Sequence, residues 1–268
     1  MTVELEVAKE LAIGAGAVLL KHFAQKSEVR WKGKGNPVTD ADQEASRFIV
    51  ESLQREFPFD GILSEEEVDN PDRLTKSRVW IVDPMDGTAE FVAGLTEFAV
   101  MIGLAADGRP TLGVVYLPVE KKLYYSESGK GTFVESGSSK RQLQVSQESD
   151  PGQATITASR SHDSTTSQRI REVLGIGNVI RVGGVGLKVA LICEGQAHVY
   201  IHAGSGTNQW DTCAPEIILL EAKGKMTDVS NRPLAYNTPD PRNRQGVIAS
   251  NGFLHPRAVA AASKILIP

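Results

Sequence analysis

Apolar residues recur with helical spacing through residues 3–24, and again from about Asp40 to Phe57, where Ala45, Phe48, Ile49 and Leu53 share one face. The pattern predicts two helices, the second capped by Thr39 or Asp40 and closed before Pro58. Short apolar runs at 62–64 and 79–82 then predict strands. More strands are expected at 98–105, 111–117 and 123–126, separated by turn signals at Asp107-Gly108 and Gly129-Lys130-Gly131. From about residue 151 the elements alternate: strand 154–158, helix 164–174, strand 179–182, helix 187–194, strand 197–201, helix 212–222. Such alternation argues for layered α/β structure. It divides the chain into an N-terminal α+β half, 1–150, and a C-terminal α/β half, 151–268, with the polar stretch 136–149 as the expected seam.

Composition narrows the function classes. The chain has 268 residues, 41% hydrophobic and 23% charged, with a net charge of −4, so general affinity for a nucleic-acid polymer is not expected. Its two cysteines, Cys193 and Cys213, form neither a disulfide framework nor a metal-ligand spacing, which predicts a reducing compartment. The apolar run 11–20 follows Glu4, Glu6 and Glu10, where a secretory leader needs basic residues, and it is too short to span a bilayer. A cytoplasmic protein with no membrane partner is expected.

Candidate chemistry begins where the 79–82 run surfaces. Asp83 and Asp86 flank Pro84 on what reads as one tight turn, so that both carboxylates and the Met85 carbonyl can converge. Hard cations such as Mg²⁺ take oxygen ligands of this kind. Gly87 and Thr88 follow with backbone N–H groups suited to an anion and one hydroxyl. Comparable acids are Glu65, in the Glu65-Glu66-Glu67 run that ends a short strand, Asp42 at the start of the second helix, and Asp211, which opens a later helix holding Pro215 in its first turn. Taken singly, each reads equally well as a solvated loop, a helix cap or a plain turn. Together they point to a multi-metal site, because gathered carboxylates repel unless cations neutralise them.

The stretches Asn36-Pro37-Val38-Thr39-Asp40-Ala41-Asp42, Ser64-Glu65-Glu66, Trp80 to Thr88 and Trp210 to Glu216 resemble the inositol monophosphatase-like, lithium-sensitive, Mg²⁺-dependent phosphatases. Ser159-Arg160-Ser161-His162 and the run from Arg181 to Lys188 look most like the 3'(2'),5'-bisphosphate nucleotidases of that superfamily. The resemblance implies a layered α-β-α-β-α sandwich of the sugar phosphatase type, in agreement with the element order. It also implies Glu65, Asp83, the Met85 carbonyl, Asp86 and Asp211 as ligands of two or three Mg²⁺ ions, with Asp42 near the third. Gly87 and Thr88 would hold the phosphate. Asp42 with Thr88, or Glu65 with Thr88, would deprotonate the attacking water, and His162 and Lys188 would bind the nucleotide and its second phosphate. The register within Glu65-Glu66-Glu67 is open by one residue, and Lys223 stands where glycine is commoner.

The implied reaction is hydrolysis of a small phosphorylated substrate, 3'-phosphoadenosine 5'-phosphate, to AMP and phosphate by metal-activated water. No Walker A loop, Cys-x5-Arg signature, Gly-x-Ser-x-Gly elbow or His-Glu-x-x-His helix occurs in the sequence, so competing catalytic classes lack their parts. Two alternatives remain: an inositol monophosphatase with the same metals, and a partner-binding regulatory protein that keeps the fold. Taken alone, Lys188 reads as a solvated helix lysine and His162 as a surface histidine. His22, His198, His202 and His255 read as structural.

Overall fold

A computed structural model describes residues 2–25, 29–33, 36–161 and 163–266. The first helix, α1 (Val3–Gln25), buries Leu5, Ala8, Ala12, Ala15 and Leu19. A two-stranded ribbon, β1 (Val29–Gly33) and β2 (Asn36–Thr39), leads into α2 (Asp40–Glu56). Thr39 caps that helix: its hydroxyl accepts from the Ala41 N–H, while Asp42 accepts from the Thr39 N–H. Ala45, Ile49 and Leu53 are buried as the periodicity predicts, but Phe48 is 40% exposed. Its ring lies against Gly14 of α1, at the outer edge of the helix pair rather than beneath it.

The first sheet starts with β3 (Gly61–Ser64) and, after a 3₁₀ turn at Pro71–Thr75, β4 (Arg78–Asp86). A short helix, α3 (Thr88–Val92), separates them from β5 (Ala99–Ala106), β6 (Arg109–Leu117), β7 (Lys122–Glu127), β8 (Thr132–Ser136) and β9 (Ser139–Leu143). These seven strands pair in chain order, β3 with β4 parallel and the others antiparallel. The chain continues as β10 (Thr155–Ser159), α4 (Thr165–Leu174), β11 (Asn178–Val182), α5 (Val185–Cys193), β12 (Val199–His202) and α6 (Gln209–Glu221). It ends with β13 (Lys225–Thr227), β14 (Val247–Ser250) and α7 (His255–Leu266). The second sheet has the order β11-β10-β12-β14-β13, with β10 parallel to β11 and β12.

Side chains of β4 alternate between two apolar layers. Trp80 and Val82 pack with α1 and α2, whereas Val79 and Ile81 pack with α5 and α6. Burial on both faces is why the strand reads as an unbroken apolar run. Helices α5 and α6 lie between the sheets, and α4 and α7 cover the far side of the second, which gives the expected α-β-α-β-α sandwich. The approach of α6 to the first sheet is so close that a Cβ at Gly113 would fall 2.5 Å from the Ala214 carbonyl oxygen. Among the described residues no helix is long and apolar enough to cross a membrane.

Several details depart from the sequence reading. The stretch 83–86 is the end of β4 rather than a tight turn; a register shift against β5 leaves residues 84 and 85 out of the ladder, where Pro84 needs no N–H. Part of 136–149 belongs to the sheet as β9, which carries the exposed Lys140 and Arg141 that suit an edge strand. Helix α6 starts at Gln209, so Pro215 is its seventh residue and lies beyond the first turn; the Asp211 carbonyl loses its helical donor. Strands β13 and β14 and helix α7 were not foreseen. Lys223 adopts φ 72°, the left-handed region that explains the usual glycine there.

His255 opens α7 at 1% exposure, with Nε2 2.9 Å from the Thr227 hydroxyl and Nδ1 2.9 Å from that of Ser250. Burial, aided by Lys225, pushes its imidazole down from 6.5 to about 4. Between those pH values the unfolded chain binds the extra proton, so this contribution is complete above the unfolded value and is lost as pH falls toward 4. His255→Gln should remove roughly 2–3 kcal/mol of the stability difference between about pH 7 and about pH 4.5. Urea unfolding at both pH values measures it, and an unchanged difference would assign the acid sensitivity to other groups.

Candidate active site

Alternation along β4 puts Asp83 on the same face as Val79 and Ile81, toward α5 and α6. Carboxylate oxygens of Asp83, Asp86 and Asp211 lie within 4.8 Å of one another there. Asp83 is 1% exposed and Asp86 6%. Asp83 Oδ1 accepts from the Met85 N–H at 3.0 Å, and the two Asp86 oxygens accept from the N–H groups of Val185 and Gly186 at 2.9 and 2.7 Å. Asp211, third residue of α6, accepts from the N–H of its cap, Asn208. Gly184 makes the α5 approach possible: at φ 60°, a Cβ on it would meet Asp86 Oδ2 at 2.4 Å.

Burial raises all three carboxyls. For Asp83 the charges of Glu65, Asp86 and Asp211 add to it and hold the group well above the ordinary range. Asp211 is pushed up to about 7 by burial and by Asp86. Asp86 is raised by burial against the opposing pull of Lys188 and its two N–H donors. Hard oxygen donors, buried, converging and poor at keeping their charge, are what a divalent cation would satisfy. The donor set therefore fits a metal ion.

These groups form the floor of a cavity of about 500 Å³. Glu65, Met85, Gly87, Thr88 and Lys188 also line it. Of the glutamate run, Glu65 faces the cavity, Glu66 acts on Asp42, and Glu67 turns away to accept from the Ser46 hydroxyl at 2.8 Å. Thr88 Oγ1 lies 3.0 Å from Asp42 Oδ1 and 3.1 Å from the Met85 carbonyl. The other Asp42 oxygen accepts from the N–H and the hydroxyl of Thr39, both at 2.7 Å. Burial pushes Asp42 up to about 6 despite those Thr39 donors. Lys188, only 2% exposed, is no solvated helix lysine: its ammonium donates to the Gly184 carbonyl. His162 lies outside the described residues.

Several lining residues were not foreseen, among them Glu90, Tyr200 and His202, the last read from sequence as merely structural. A signal existed for His202. It ends β12 as Ser159 ends β10, and pockets in α/β folds form beyond the carboxyl ends of parallel strands. Glu90 offered none, because its partner Ser161 lies 71 residues further along the chain.

Residues 1–266 match the Inositol monophosphatase family. The chain belongs to that family. A 3'(2'),5'-bisphosphate nucleotidase CysQ from Salmonella typhimurium is 37% identical over 87% of this chain and 93% of the relative. Human inositol monophosphatase 1 is 31% identical over 94% and 91% of the two chains. Among solved structures, an IMPase from Thermotoga maritima superposes with a TM-score of 0.85 at 27% identity, covering 99% of this chain and 98% of the other. The family includes phosphatases of nucleotides and of inositol phosphates, so membership gives a phosphoric monoester hydrolase and leaves the substrate to the cavity.

Proposed function

We propose that this chain is a Mg²⁺-dependent 3'(2'),5'-bisphosphate nucleotidase that hydrolyses 3'-phosphoadenosine 5'-phosphate to AMP and phosphate. The observation that carries the reading is the Asp83, Asp86 and Asp211 cluster, which lines one cavity together with Thr88, the partner of Asp42. In it, Glu65, Asp83, the Met85 carbonyl, Asp86 and Asp211 would hold two Mg²⁺ ions, with Asp42 near a third. Bound Mg²⁺ supplies Lewis acidity toward the phosphoryl group and makes water a nucleophile at neutral pH.

The protein groups then divide the remaining work. Thr39 occupies one Asp42 oxygen and leaves Oδ1 for Thr88, so the Thr88 hydroxyl, which lines the cavity, can donate to Asp42. An attacking water can pass its proton to Thr88 Oγ1 as that hydroxyl gives its own to Asp42 Oδ1. A carboxylate raised to about 6 is better matched to that task near neutrality than an ordinary one. Gly87 and Thr88 orient the phosphate, and Lys188, near Asp86, sets a positive charge for a second phosphate, with His162 assigned to the nucleotide by family resemblance. Cys193 and Cys213 are buried free thiols, which suits a cytoplasmic enzyme.

The second reading is an inositol monophosphatase, favoured by the 31% identity to the human enzyme over nearly the whole length of both chains. A purely partner-binding role accounts poorly for five carboxylates, those of Glu65, Asp83, Asp86, Glu90 and Asp211, lining one cavity. Phosphate release from 3'-phosphoadenosine 5'-phosphate, inositol 1-phosphate and fructose 1,6-bisphosphate, measured side by side with Mg²⁺, with excess chelator and with millimolar Li⁺, separates the readings. We expect the nucleotide to give the highest kcat/KM, chelation to abolish turnover and Li⁺ to inhibit. Preference for inositol 1-phosphate would select the second reading, and full activity in chelator would remove both.

A further inference from the structure

The Ser159-Arg160-Ser161 stretch suggests a substrate loop, yet two of its side chains are bonded to residues of the first half of the chain. Arg160, just after β10, donates from Nε to Glu97 Oε2 at 3.0 Å and from Nη2 to Glu97 Oε1 at 2.5 Å. Its Nη2 also reaches the Arg181 carbonyl at 2.9 Å. Glu97 Oε2 accepts from the Gly183 N–H at 2.8 Å as well. One carboxylate thus grips both loops that bear the cavity wall, since Ser159 and Gly184, the immediate neighbours of Arg160 and Gly183, line the cavity. Below this pair, the Ser161 hydroxyl donates to Glu90 at 2.6 Å; Glu90 is 4% exposed and lies so close to Gly183 that a Cβ there would sit 2.5 Å from it.

The main chain of Glu97 is tied down beside Gly87. Its carbonyl oxygen would lie 2.5 Å from a Cβ on Gly87, a contact that only glycine at φ 98° permits. The same residue therefore touches the phosphate cradle with its backbone and the loops at Arg160 and Gly183 with its side chain. We propose that Glu97 and Arg160 form a spacer, which fixes the separation between the cradle at Gly87 and the wall at Ser159 and Gly184 and so determines which phosphate esters fit. This rests on reading the cavity as the substrate site.

Geometry separates the spacer from the chemistry. Asp86 is held by its own N–H bonds from Val185 and Gly186, deeper in the fold. The Arg160 and Glu97 side chains sit at the rim, 43% and 21% exposed. An ion pair that exposed adds little stability, but a bidentate Arg–carboxylate contact holds direction well, and Lys cannot reproduce it. Glu97 and Arg160 are accordingly positioning residues, whose loss should act on substrate fit and not on turnover.

Steady-state kinetics on Arg160→Ala, Arg160→Lys, Glu97→Gln and the double variant Arg160→Ala/Glu97→Gln test this, with thermal melting as the control for folding. On the better substrate of wild type, KM should rise about tenfold in Arg160→Ala and Glu97→Gln and less in Arg160→Lys, with kcat within about twofold. The double variant should be no worse than either single one, because both remove the same contact. KM for the poorer substrate of the pair 3'-phosphoadenosine 5'-phosphate and inositol 1-phosphate should move far less. Loss of kcat at constant KM, equal KM changes on both substrates, or additive single effects would each overturn the spacer. A wild type that prefers inositol 1-phosphate would overturn the nucleotidase reading alone, since the spacer is judged on whichever substrate is better.

Discussion

Asp83→Asn should lower turnover by about a thousandfold or more and yet raise the melting temperature of the metal-free protein. The two signs have one origin. Asp83 is 1% exposed, and burial together with Glu65, Asp86 and Asp211 makes its charge unfavourable unless a cation is present. Asparagine keeps the shape, can still accept the Met85 N–H bond, and removes the charge. In chelator the variant should therefore melt a few degrees above wild type, since about 1 kcal/mol moves a domain of this size by roughly 2–4 °C. With Mg²⁺ the order should reverse, because wild type gains binding energy that the variant lacks. Melting curves with and without Mg²⁺, beside kcat, make the test independent of activity alone. A variant that keeps more than about a tenth of wild-type turnover, or that melts no higher in chelator, would remove Asp83 from the metal site.

The site was legible in sequence to the extent that its residues are local to elements with a readable period. Asp83 could be found because it ends an apolar run whose alternation sets its face, and Asp42 because a capping residue three positions earlier marks the start of a helix. Pro215 misled the boundary of α6: a proline suggests a first turn, but the helix carries it as the seventh residue, with the lost hydrogen bond confined to the Asp211 carbonyl. Strand β9 was hidden by Lys140 and Arg141, since an edge strand has no second neighbour to demand apolar side chains. The tertiary contacts were beyond reach for another reason. Glu97 meets Arg160 and Gly183 across 63 and 86 residues of chain, and no local pattern in a single sequence records such a pairing.

Lys188 is where the sequence reading and the structure differ most in consequence, and Lys188→Met should lower kcat/KM for 3'-phosphoadenosine 5'-phosphate by roughly tenfold to a hundredfold. Its ammonium lies 5.5 Å from the centre of the Tyr200 ring and is bonded to the Gly184 carbonyl, in the same cavity as the aspartates. Burial pulls its pKa down, while Asp86, Glu90, Asp211 and Glu97 hold the charge in place. It is therefore a counter-charge to the carboxylates as well as a candidate contact for a second phosphate. Methionine keeps length and apolar volume and deletes the charge, which separates the two roles. As a counter-charge, Lys188 stabilises the metal-free fold, so Lys188→Met should melt below wild type in chelator, opposite in sign to Asp83→Asn, and combining the two should recover part of the loss. As a phosphate contact, it matters only to substrates with a second phosphate, so inositol 1-phosphate hydrolysis should fall less than nucleotide hydrolysis. Equal losses on both substrates, with the melting shift intact, would leave Lys188 serving the carboxylates alone. The case for a nucleotide substrate would then have to stand without it.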